Sequence, residues 1–174
     1  MAVSGAPRDD RTAARLFFGL LLVTTALLQA TFLPTLNLMS VLPDFSLVLL
    51  LLWSATHGVF EGLCWAFGLG VWLDIVSMEL IGAHSLALMI VALVGGLTRG
   101  KLFRSGAILP LVTVIVATLG YNVVVLLMDS LAGSGTDAVS FVRLALMTSL
   151  LNALLVPLAY GVMLVFDRWA PRRV

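Results

Sequence analysis

Apolar runs fill most of residues 14–166, and the breaks between them are no longer than about a dozen residues each. No stretch is left that could form a separate water-soluble domain. Charged residues make up 11% of the chain, against roughly a quarter in a soluble domain. The solvent for such a chain is mostly lipid, where every backbone polar group must be bonded internally and the runs fold as helices. The sequence therefore predicts a single all-α polytopic membrane domain over 1–174.

A bilayer core of roughly 30 Å takes about 20 helical residues, fewer where the bilayer thins or flanking groups snorkel. Six spans are expected, at about 14–33, 45–60, 62–76, 83–97, 107–128 and 141–166. The second and third together are about 48 Å of helix at 1.5 Å per residue, too long for one crossing and short for two. Charge decides the count. With six spans and a cytoplasmic N-terminus, Arg8, Arg11, Arg15, Arg99, Lys101, Arg104, Arg168, Arg172 and Arg173 all face the cytoplasm, and only Arg143 lies outside. Five spans would translocate the basic loop 99–104, against the positive-inside rule. The outer side then carries Asp44, Glu79, Asp129 and Asp137, with Asp74 close to it and Gly133-Ser134-Gly135 as an outer loop. The basic N-terminus followed by the run 16–28 reads as a signal anchor, because no small-x-small cleavage site follows it.

Within the third span, Gly58, Gly62, Ala66, Gly70 and Asp74 recur every fourth residue. Small residues at this spacing let helix backbones approach closely, and in lipid such packing holds helices together. The stripe predicts a helix interface, within the bundle or with another protein. Asp74 at its end is costly if it faces lipid. It is read either as a pocket or rim group that pairs with a partner or with Arg143, or as a helix-end carboxylate in headgroup water. Arg143 stands in the first turn of the sixth span, where a cation opposes the helix dipole. It either snorkels to phosphates or pairs with Asp74, Asp129 or Asp137. Asn122 with Thr118, and Asn152 with Ser149, place polar groups on shared faces. They either line an internal pocket or bond between helices.

Several functions are not expected. Cys64 is the sole cysteine, so it forms no intramolecular disulfide and reads as a packing residue. His57 and Glu61 alone are too few for a metal site, and His84 reads as an interfacial residue. Gly133-Ser134-Gly135, Gly68-x-Gly70 and Arg99-Gly100-Lys101 each lack the rest of a catalytic or phosphate-loop motif. No enzyme activity, metal, cofactor or nucleic-acid partner is expected.

Residues 42–96 carry Leu42-Pro43-Asp44 ahead of the second span, a glycine-rich third span, Gly70-x-x-x-Asp74, and Gly82 before the fourth. In these features the chain resembles the MreD family of rod shape-determining membrane proteins. The resemblance implies a non-enzymatic scaffold of the bacterial elongation machinery in the cytoplasmic membrane, supporting lateral peptidoglycan synthesis and cell shape. It implies MreC as partner, with RodA, a class B penicillin-binding protein and the MreB filament further along; membrane lipid and a second copy of the chain are further candidates. It also implies a fold similar to the S-components of energy-coupling-factor transporters, with Asp44 and Asp74 as motif positions on the outer side. The alternative is a vitamin-binding S-component. Ala26-x-x-x-Ala30 would be its docking face, but it lies near the outer end of the first span, where it fits that role poorly.

Overall fold

The computed structural model describes residues 9–32, 43–77, 81–102, 108–133 and 137–169. Among them it has six helices: α1 Asp9–Phe32, α2 Phe45–His57, α3 Val59–Ser77, α4 Ala83–Leu97, α5 Ile108–Leu131 and α6 Ala138–Trp169. The described residues form an all-helical bundle. Three helical stretches are long and apolar enough to cross a membrane, Val59–Ser77, Ile108–Leu131 and Val139–Ala159, while those in α1, α2 and α4 are shorter. Glu79, Ser134, Gly135, Arg8, Arg104, Arg172 and Arg173 lie outside the described residues.

The doubtful second and third spans are two helices. Gly58 separates them with φ +109° and ψ 166°, a backbone that side-chain-bearing residues rarely adopt. The break corrects the expected boundaries: Val59 and Phe60 open α3 rather than close α2.

α2 is only 13 residues long, about 20 Å. Its shortness follows from its place. Every residue from Ser46 to Ala55 is buried, because α2 packs against all five other helices. A helix enclosed by protein on every side and so shielded from lipid need not match the bilayer thickness. Among the described residues α1 is peripheral and packs against α2 and α3. Its buried stripe is Phe18, Leu22 and Ala26, with Leu16, Phe17, Leu20, Leu27 and Leu28 exposed.

The glycine stripe faces inward. A Cβ on Gly62 would collide with Ser54 of α2, and one on Gly70 would strike the backbone of Ser85 in α4. Ala66 between them is fully buried. Glycines of α4 complete the seam: a Cβ on Gly95 would lie 2.5 Å from the Leu51 carbonyl oxygen, and one on Gly96 would lie 2.8 Å from the Val59 Cα. Ser54 fills the narrow space and donates to the Ala92 carbonyl at 2.6 Å. Of the two readings of the stripe, packing within the bundle is the one realised for Gly62, Ala66 and Gly70.

Candidate functional site

At the start of α4 the chain turns through Gly82, which has φ +105° and no side chain with which to cap the helix that follows. The first N–H groups of a helix need an acceptor from elsewhere. Asp74, one turn from the end of α3, supplies it. Its Oδ2 accepts from the Gly82 N–H at 2.8 Å and from the Ser85 hydroxyl at 3.2 Å. Its Oδ1 accepts from the His84 N–H at 2.9 Å, and the His84 ring Nδ1 stands 2.9 Å from the same oxygen. An ionised carboxylate only accepts, so Nδ1 carries the proton. Asp74 is thus an N-cap delivered across a helix pair, and it is 1% exposed. Burial removes the headgroup-water reading, and His84, read above as an interfacial residue, is its partner.

A second group of polar side chains surrounds the start of α2. Asp44 is the N-cap, its Oδ1 accepting from the Leu47 N–H at 3.0 Å. Gln29 of α1 donates to the Pro43 carbonyl at 2.9 Å and to Asp44 Oδ1 at 3.4 Å. In return its Oε1 accepts from the Ser46 hydroxyl at 2.5 Å. From the opposite side, Asn152 of α6 accepts the Asp44 N–H at 2.6 Å and donates to Thr118 Oγ1 of α5 at 3.1 Å. Asn152 and Thr118 have no solvent exposure. Asn122 donates to the Thr118 carbonyl within its own helix at 2.8 Å.

Counted from the Gly58 break, Asp44 and Asp74 both lie about 20 Å along their helices, so they share a level. Side chains from all six helices therefore compose one polar layer, which crosses α5 and α6 near their midpoints. α5 and α6 continue past it for more than a dozen residues each.

Arg143 stands apart from this layer, exposed on α6 and without an ion pair among the described residues. The sequence singled out Asp44, Asp74, Asn122 and Asn152, and the fold brings Asp44 and Asn152 into contact. It did not single out Ser46 or Ser85. A signal for the latter was available: a helix opening on Gly-Ala-His-Ser has no strong cap of its own, and a nearby buried carboxylate is the natural substitute.

The opposite end of the bundle holds a different cluster. Arg15 of α1 grips both carboxylate oxygens of Glu61, Nε to Oε1 at 3.0 Å and Nη2 to Oε2 at 3.1 Å. Phe18, Trp53 and His57 stack in a column, with ring centroids 3.8 and 3.6 Å apart. Trp65 meets Phe18 edge-on and covers Gly19. Each aromatic contact contributes about 0.5–1.5 kcal/mol beyond burial, and together with the ion pair they attach α1.

The arrangement is one of satisfied hydrogen bonds, caps and stacks. The comparison with known families identifies its setting, for the family model of the rod shape-determining protein MreD matches residues 10–166. The chain belongs to the MreD family. It is a membrane protein with a role in rod shape determination, and the family is not a known enzyme family. No curated protein and no solved structure matches it.

Proposed function

We propose that this MreD-family chain is a non-enzymatic scaffold of the rod elongation machinery in the bacterial cytoplasmic membrane, holding an MreC-like single-span protein and supporting lateral peptidoglycan synthesis. RodA, a class B penicillin-binding protein and MreB filaments are reached directly or through that partner, and a second copy of the chain is a further candidate neighbour. The observation that carries the reading is the family match over nearly the whole chain. The proposal includes six crossings in an S-component-like bundle, with both termini cytoplasmic. Nine of the ten basic residues fall on one side under that topology, as the positive-inside rule requires.

The interior supports a scaffold over a vitamin binder. Asn152 and Thr118 are bonded to each other and to the start of α2, and the side chains around α2 pack as a continuous apolar core. Asp74 is too deeply buried to meet a partner directly. It acts on one by fixing the turn between α3 and α4, while the exposed Arg143 is placed to touch the partner or lipid phosphates. Affinity capture from mild detergent tests the function. A single-span protein with a large extracytoplasmic part should be recovered, whereas transporter ATPase and transmembrane subunits with a bound vitamin would overturn it.

A further inference from the structure

The Gly58 break, at the C-terminal end of α2, carries a cation that has no ion pair among the described residues. The guanidinium of Arg99, from the turn after α4, lies over the backbone of Gly58, its Nη1 2.8 Å from where a side chain on that residue would begin. Glycine is required there twice, by φ +109° and by the arginine that occupies the space. Glu61, one turn into α3, is the nearest carboxylate in sequence, and both its oxygens are held by Arg15. Arg99 itself has no ion pair or side-chain hydrogen bond among the described residues. Lys101, two residues on, is exposed. A guanidinium held against the protein surface, with no carboxylate partner among the described residues and at the rim of an apolar bundle, fits a planar or tetrahedral oxyanion.

We infer that Arg99, seated over Gly58, binds the phosphate of an anionic phospholipid headgroup. The lipid's acyl chains would lie along the exposed apolar surface near this end, where Phe60 is 82% and Leu97 is 78% exposed. Assignment to the cytoplasmic leaflet rests on the topology proposed above, but the binding does not. A reporter that placed Lys101 outside would move the lipid to the other leaflet and leave the binding result untouched.

Native mass spectrometry of the full chain in neutral detergent tests the inference, with phosphatidylglycerol and phosphatidylcholine of equal chain length added in turn. The wild type should retain phosphatidylglycerol in preference to phosphatidylcholine. Arg99→Gln should reduce that preference about five-fold, the effect of one interfacial cation. Arg99→Lys should keep most of it. Equal retention of the two lipids by the wild type, or an unchanged preference in Arg99→Gln, overturns the inference. Displacement of the lipid by millimolar inorganic phosphate would assign the seat to free phosphate and overturn the lipid assignment.

Discussion

Asp74 shows how far one residue's role can be read from sequence. Its cost in an apolar run was legible, and so was the need for partners. The identity of those partners was not, because they are backbone groups at the start of the next helix and become acceptor-seeking only once Gly82 turns the chain. Asp74→Ala removes the cap and leaves several buried donors unmatched, so a loss of about 2–4 kcal/mol is expected, measured by unfolding of the detergent-solubilised protein. Asp74→Asn retains one acceptor and should lose less. Asp137 plays the simpler version of this role at the start of α6, where the Ser140 hydroxyl donates at 2.8 Å and its N–H at 3.2 Å. These bonds hold its carboxyl below the ordinary value. A carboxylate with a depressed folded-state pKa stabilises above its unfolded value and loses that contribution as pH falls through the folded one. The melting difference between wild type and Asp137→Asn should therefore be present at neutral pH, begin to shrink below about pH 4 and vanish once the pH lies below the depressed folded-state value. A difference that persists there would contradict this.

At the level of elements, the stripe of small residues was legible as spacing, but its direction was not. Four-residue spacing puts residues on one face, and only the neighbouring helices decide whether that face meets the bundle or a partner. Gly70 and Gly68 separate the two cases within one helix. Gly70 abuts the backbone of Ser85, whereas a Cβ on Gly68 would meet nothing within 4 Å. Gly70→Ala should destabilise by about 1–3 kcal/mol or more, since the obstacle is backbone and cannot swing aside. Gly68→Ala should be neutral or add about 0.5–1 kcal/mol through helix propensity. Equal effects at the two positions, in the same unfolding assay, would contradict the assigned orientation of α3. The break between α2 and α3 was likewise visible in Gly58. The enclosure of α2 was not, because its leucine-rich sequence reads the same against lipid or against protein.

For the whole molecule, composition and charge placement were enough to specify an all-helical membrane domain, and the family resemblance was legible in Pro43-Asp44, Gly70-x-x-x-Asp74 and Gly82. The polar layer was only partly legible. Gln29, Asn122 and Asn152 stand out as polar residues in apolar runs, yet the bond from Asp44 to Asn152 spans 108 positions and exists only after α2 is surrounded. The layer joins six helices through the bonds from Gln29, Asp44, Asp74, Ser85, Thr118 and Asn152. The decisive measurement is affinity capture of the wild type and Asp74→Ala at matched membrane levels, with the recovered MreC-like protein quantified per molecule of bait. The wild type should bring down that single-span partner, and Asp74→Ala should bring down several-fold less while still inserting. Equal recovery by the two would deny the polar layer a part in shaping the partner surface, and absence of the partner from the wild-type sample would contradict the scaffold itself.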